Sequence, residues 1–264
     1  MSNNPTKPDS RELLEFMFRL GQAYLACGEQ TAKVELILRR MASAYGMRHS
    51  RVVTFPTAIF ISLHDGTEER VTLAEGPTQS LRLDQIADVY TLGDAAQRGD
   101  IPPADGLKRI SEILRKEPRF GIVVTVLGHA VLSLGLAMVL MSSLYNLAAA
   151  ALLGLIVGAL KASNRGRPLL AVPLPVVAAA LVASLVFLAV KHGLAIDPLH
   201  TLVPPLVTFL PGAMLTLGMV ELAYGDMVSG SSRIITGSVQ LDFWRLAWPA
   251  APCWLGIIPK TSAT

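Results

Sequence analysis

With 264 residues, 52% of them hydrophobic and 16% charged, and a formal net charge of +3, the chain has a basic excess. No basic block is interleaved with aromatics, so nucleic acid is excluded as an expected partner. Two cysteines, Cys27 and Cys253, are too few and too far apart for a disulfide framework. The charges are unevenly spread. Residues 1–119 hold 16 Lys+Arg and 16 Asp+Glu, whereas residues 120–264 hold 7 and 4.

The opening MSNNPTKPDSRELLEF lacks a basic region, an apolar core and a small-residue cleavage site, so no removed signal peptide is expected. Leu13, Phe16, Met17, Leu20 and Tyr24 recur at helical spacing and predict an amphipathic helix over about 10–27, stopped by Gly28. Val34, Ile37, Leu38, Met41 and Tyr45 predict a second, ended by Gly46. The period then changes. RVVTF, TAIFISL and, after an Asp65-Gly66 turn, ERVTLAE are rich in β-branched and aromatic residues and predict a small antiparallel sheet. Pro56, between the first two strands, fits an edge or a bulge. Residues 83–98 and 104–116 predict helices parted by Gly99 and Pro102-Pro103. The expectation for 1–119 is a cytosolic α+β domain.

From Phe120 onward, apolar runs approach the roughly 20 residues that cross a hydrocarbon core of about 30 Å. Five spans are expected, over about 120–141, 144–160, 169–190, 200–224 and 234–258. Gln240, Asp242 and Arg245 make the last one the least apolar. Lys108, Arg109, Arg115, Lys116 and Arg119 precede the first span, and Lys161, Arg165 and Arg167 follow the second. This basic bias predicts a cytoplasmic N-terminus and an outer C-terminus. The fold class is thus a membrane protein, with a cytosolic α+β domain ahead of a five-helix transmembrane half whose fourth helix is broken at Pro-Gly.

Three pieces, in order, carry a resemblance: LGQAYLACGEQTAKVELILRRMASAYG, PTAIFISL, and LVTFLPGAMLTLGMVELAYGDMVSGSSRI. Together they resemble the threonine/serine exporter family over nearly the whole chain. The resemblance implies a cytosolic N-terminal domain followed by membrane spans, and an exporter rather than an enzyme. Many members carry two membrane halves of about five spans. This chain is similar to the split members, whose second half is a separate small protein, and one such pair is linked to dicarboxylates such as succinate. An odd number of spans makes sense of the split, because a second half would run with opposite orientation, as in inverted-repeat transporters. A second five-span subunit or self-assembly is the expected partner, in a bacterial inner membrane.

The expected substrate pathway starts at Pro211-Gly212. Proline removes a donor and glycine loosens the backbone, and a broken helix in lipid survives only where protein or a water-filled cavity covers it. Its exposed amides can receive an anionic group, with hydroxyls from Thr208 and Thr216. The competing reading is an ordinary packing kink. Glu221 is either a proton carrier or an interfacial carboxylate that snorkels, with Asp226 just past the membrane end. Ser229, Gly230 and Arg233, with Ser231 and Ser232, are expected at the start of the fifth span, where amides, hydroxyls and a guanidinium can receive a carboxylate. Arg233 also fits plain positive-inside topology. Asp242 and Arg245, three apart, are expected to pair. His129 is expected either to relay protons or, more commonly for a lone membrane histidine, to bond a neighbouring helix, Asn146 is a further weak candidate, and Gly121, Gly128 and Gly135 share one face that predicts close packing of the first span.

No spacing matches a metal-ligand set, a nucleophile elbow or a phosphate loop, so no metal or cofactor is expected and drive by ATP is not. Proton drive is. The enzymatic alternative is a membrane-anchored hydrolase using Cys27, a glutamate such as Glu29 or Glu35, and His49 or His64 beside Asp65. A further alternative makes the soluble domain a regulatory module.

Overall fold

The structure is a computed structural model and describes residues 10–47, 49–64, 69–75, 81–140, 143–164 and 173–254. The chain divides into two compact units, Met1–Glu117 with Ala213–Ile235, and Pro118–Gly212 with Thr236–Thr264. The described residues are mostly helical with one small sheet.

In the first unit, helices α1 (Ser10–Ala26) and α2 (Thr31–Ala44) form where the apolar stripes lie. Leu13, Phe16, Met17, Leu20 and Tyr24 are fully buried, in one core with Val34, Leu38 and Met41. Gly28, at φ +80°, ends α1. The amides of Gly28 and Glu29 return to the carbonyls of Leu25 and Tyr24, a left-handed cap that a side chain would strain. The turn it makes starts α2 at once, with Glu29 in the turn and Thr31 the buried first residue of α2.

Strands β1 (His49–Phe55), β2 (Ala58–His64) and β3 (Glu69–Glu75) pair antiparallel in that order. Val52, Ile59, Ile61 and Leu63 are buried while Val53 and Phe60 are exposed, the alternation expected of a half-covered sheet. Pro56 is neither an edge-strand residue nor a bulge. With Phe55 opposite Ala58, it starts a two-residue hairpin turn, where its fixed φ is useful. The Asp65-Gly66 turn lies outside the described residues. Helices α3 (Leu83–Arg98) and α4 (Pro103–Arg115) close the core. A Cβ at Gly93 would lie 1.9 Å from the Tyr24 hydroxyl, so that glycine makes room for the ring.

The second unit holds α5 (Ile122–Val139), α6 (Leu144–Ser163), α7 (Leu174–Lys191) and α8 (Pro198–Leu206). The face of α5 carrying Gly121, Gly128 and Gly135 is not the packed one, because among the described residues nothing lies within 4 Å of a Cβ built at any of the three. The close approach belongs to Gly154 and Gly158 of α6. A Cβ at Gly154 would meet Ser133 Oγ at 2.5 Å, and one at Gly158 would meet the Val126 backbone at 3.1 Å. Two glycines four apart share a helix face and let two backbones touch, as the small-residue rule for membrane helices requires.

His129 Nδ1 lies 3.0 Å from the Thr125 carbonyl of its own helix, not a neighbour's. Asn146 joins α6 to the segment ahead of α8, accepting from the Asp197 amide at 2.9 Å and the Thr201 hydroxyl at 3.4 Å.

The break at Pro211-Gly212 forms. After α8 a turn of 3-10 helix (Val207–Phe209) ends, Leu210 is extended as a residue before proline prefers, and α9 (Gly212–Ala223) begins. Gln240 donates to the Phe209 carbonyl at 3.3 Å, so a carbonyl released at the break is satisfied. The Gln240 that weakened the fifth span in sequence has this use.

The fifth helix starts earlier than expected. α10 runs Met227–Trp254, so Ser229 to Arg233 are helical rather than a turn preceding a span. Gly225 at φ +88° caps α9, its amide and that of Asp226 returning to Leu222 and Glu221, and Asp226 then stands at the N-cap of α10. Among the described residues three helices, α5, α6 and α7, are long and apolar enough to cross a membrane, or four if the broken pair α8 and α9 is one span. The five-span count stays an expectation. Asp242 is exposed, and the side chain of its expected partner Arg245 lies outside the described residues.

Candidate functional site

Helices α9 and α10 turn back on each other through Tyr224-Gly225-Asp226, and glycines set how close they come. A Cβ at Gly230 would lie 2.7 Å from the Gly218 carbonyl oxygen and 2.8 Å from the Leu222 amide. This close crossing brings Glu221 and Arg233 together, with Arg233 Nε donating to Glu221 Oε2 at 2.9 Å. Glu221 is 3% exposed, so it does not snorkel.

The pair is completed by the turn between α1 and α2. The Thr31 amide donates to Glu221 Oε1 at 3.1 Å, and the Arg233 guanidinium donates to the Glu29 carbonyl at 3.0 Å. Thr31 is the first residue of α2, and Gln30 before it supplies no side-chain cap. Glu221 therefore caps α2 from a distant part of the chain, where the helix end offers an unpaired amide and a partial positive charge. The Thr31 hydroxyl also contacts Glu221 and Asp226, and Thr31 is held from behind by Thr54, whose hydroxyl donates to its carbonyl at 2.8 Å.

Glu29 points its carboxylate the other way. Lys33 donates to it at 2.7 Å, and Tyr90 donates as well. Burial alone would raise the Glu29 carboxyl, but the bonds from Lys33, Tyr90 and the Gln30 amide outweigh it and hold it below the usual carboxylate range. Glu29 therefore stays ionised and keeps its own counter-ion, leaving Arg233 to Glu221.

Of the residues expected in the pathway, the structure brings together Glu221, Asp226 and Arg233. Gly230 serves the helix crossing, and Ser229 is fully buried with a hydroxyl that has no partner among the described residues. Thr216 lies on the exposed side of α9. Thr208, Pro211 and Gly212 belong to the second unit, where the Thr208 hydroxyl is buried without a partner among the described residues. Thr31 was missed in the sequence. Its only signal was position, at the start of a helix whose preceding residue is not a good cap.

A family model described as "Putative threonine/serine exporter" (ThrE) matches residues 15–243. The chain belongs to this family. The match takes in both the α1 to α2 turn and the α9 to α10 hairpin, the two pieces that build the cluster. Membership makes the protein a membrane exporter of the threonine/serine type, and its apolar helices agree with a multi-pass chain. Comparison with curated proteins and with solved structures finds no match.

Of the residues raised for hydrolysis, Cys27 is not an activated thiol, and the side chains of His49 and His64 lie outside the described residues. Burial, then the Glu29 carboxylate, push the Cys27 thiol up to about 11, whereas reactive cysteines are lowered. Glu35 pairs with Arg39 on an exposed face of α2, and Asp65 lies outside the described residues. In a Cys253→Ser background, Cys27 is expected to react with iodoacetamide at mildly alkaline pH about tenfold more slowly folded than unfolded. The thiolate fraction falls about 100-fold and the greater basicity returns nearly a factor of ten. A rate in the folded protein equal to or above the unfolded one would reinstate an activated thiol.

Proposed function

We propose that this chain is one half of a secondary exporter for small polar metabolites bearing a carboxylate, either amino acids of the threonine/serine type or dicarboxylates such as succinate. The observation that carries this is the Arg233 guanidinium, paired with Glu221 only 3% exposed. A substrate carboxylate replaces Glu221 as the partner of Arg233, and a guanidinium binds either with two parallel hydrogen bonds. The broken helix at Pro211-Gly212, with Thr208 beside it, supplies further polar backbone to the pathway.

The proton gradient supplies the drive. The α+β domain over 1–119 lies in the cytoplasm, in a bacterial inner membrane, ahead of a transmembrane half over 120–264 with five spans. The contacts of Thr31 and Glu29 with the α9 to α10 hairpin support placing that hairpin on the same side as the domain. A second five-span subunit, or a second copy, completes the pathway from the other side of the membrane.

Everted vesicles from the protein's own host test the substrate class, since export from the cytoplasm becomes uptake. Counterflow of labelled threonine, serine or succinate is expected in vesicles with the chain and absent after its deletion. If all three move equally in both, the proposed substrate class is wrong.

A further inference from the structure

A cavity of about 330 Å³ lies between α3 and α4, lined by Asp88, Thr91, Arg109, Glu112, Ile113 and Lys116. Its walls are held in place. Gln85 of α3, 4% exposed, donates to the Ile113 carbonyl at 2.9 Å and the Leu114 carbonyl at 3.3 Å, and Arg82 donates to the Lys116 carbonyl at 2.8 Å. These bonds satisfy carbonyls that the end of α4 would otherwise leave unpaired, and they pin its last turn to α3. The cavity shares no residue with the Glu221–Arg233 cluster.

Two cations and two anions line it, and they are used differently. Lys116 Nζ pairs with Asp88 across the helices at 2.5 Å. Arg109 and Glu112 stand three apart on α4, where Cβ atoms are about 5–6 Å apart. Among the described residues, neither side chain has an ion pair or hydrogen bond, with the other or with any further group. An uncommitted guanidinium and an uncommitted carboxylate thus line one small cavity whose charges sum to zero. The Thr91 hydroxyl donates to the Ala87 carbonyl at 3.0 Å, so its oxygen can still accept. Ile113, 7% exposed, adds an apolar floor.

This set of groups selects by charge. A dicarboxylate would set its second carboxylate against Glu112 and Asp88, and a diamine would set its second ammonium against Arg109 and Lys116. A molecule with one carboxylate and one ammonium meets a partner at both ends. The volume is at the lower end of what small-molecule sites use, which suits a ligand of few heavy atoms. We infer that the α3–α4 cavity binds a small zwitterion of the α-amino-acid type, its carboxylate on Arg109 and its ammonium received by Glu112 and the Thr91 hydroxyl. Both charged residues are exposed, so the affinity is modest, with a Kd on the order of 1 mM. The N-terminal region thereby has a ligand of its own. Control of export by that ligand rests on the function proposed above, but its binding does not.

A nitroxide attached at Ser111→Cys, in the purified full chain carrying Cys27→Ser and Cys253→Ser, tests the site. Ser111 is exposed, adjoins Glu112 and bonds within α4 to the Leu107 carbonyl, so the label disturbs no packing. It broadens the NMR lines of small molecules that bind near it, and the reduced label is the control. L-serine is expected to broaden saturably, and succinate and propylamine are not. Arg109→Gln and Glu112→Gln are each expected to raise the serine concentration for half-maximal broadening about five- to tenfold, with thermal unfolding little changed because both positions are exposed. Serine left unbroadened, an unchanged concentration dependence in either variant, or succinate broadened as strongly as serine overturns the site. Since no transport is measured, a failed counterflow experiment would refute the exporter reading and leave this result standing.

Discussion

Glu221→Gln is expected to destabilise the protein by about 3–5 kcal/mol, the usual cost of removing one partner from a buried ion pair. The reason is what remains. Arg233, its side chain 12% exposed, keeps a full charge and, among the described residues, the Glu29 carbonyl to receive it. The Thr31 amide loses a charged acceptor at the end of α2. Thermal unfolding of the purified chain measures the loss, and uptake into everted vesicles measures export.

The double variant Glu221→Leu with Arg233→Met separates stability from function. Replacing a buried pair by apolar residues of similar volume is often neutral or stabilising. The double variant is therefore expected to regain most of the lost stability while export stays abolished. Wild-type stability in Glu221→Gln would show that the pair is not held as described.

The second large effect concerns helix crossing. Gly230→Ala puts a methyl carbon 2.7 Å from the Gly218 carbonyl oxygen and 2.8 Å from the Leu222 amide. Both are backbone atoms and cannot swing away, so the helices must separate, at a cost of about 1–3 kcal/mol for overpacking. Arg233 lies one turn beyond Gly230, so separation also pulls it from Glu221 and export falls with stability. Gly128→Ala on α5 is the control. Among the described residues it meets nothing within 4 Å, and it is expected to gain about 0.5–1 kcal/mol from helix propensity. Equal effects from the two substitutions would contradict the packing described here.

Periodicity was enough for the elements and not for their partners. The stripe from Leu13 to Tyr24 marks a buried helix face because an α+β core needs one continuous apolar side on each helix, and the structure buries all five residues. Pro211-Gly212 announces a break because the physics of proline is local. Gly121, Gly128 and Gly135 also share a face, but spacing alone does not say which face another helix covers. Gly154 and Gly158, four apart, carried the better signal.

The candidate site was half legible. Glu221, Asp226 and Arg233 stand out as charges in an apolar stretch, which is a local property of the sequence. Thr31 and Glu29 do not, because their role comes from a contact across 190 or more positions that no local pattern encodes. Glu29 attracted attention as a possible catalytic acid. The structure uses its carbonyl for Arg233 and spends its carboxylate on Lys33 and Tyr90.

The most direct measurement of the central claim is counterflow in everted vesicles carrying Arg233→Lys or Arg233→Gln in place of the wild-type chain, at matched membrane levels. Losing a charge-assisted bond to a carboxylate costs about 1.5–3 kcal/mol, so Arg233→Gln is expected to raise the substrate concentration needed for half-maximal counterflow at least about tenfold. Arg233→Lys keeps the charge but not the fork and should fall between. Unchanged concentration dependence in Arg233→Gln would contradict the account, because the substrate carboxylate would then be received somewhere else.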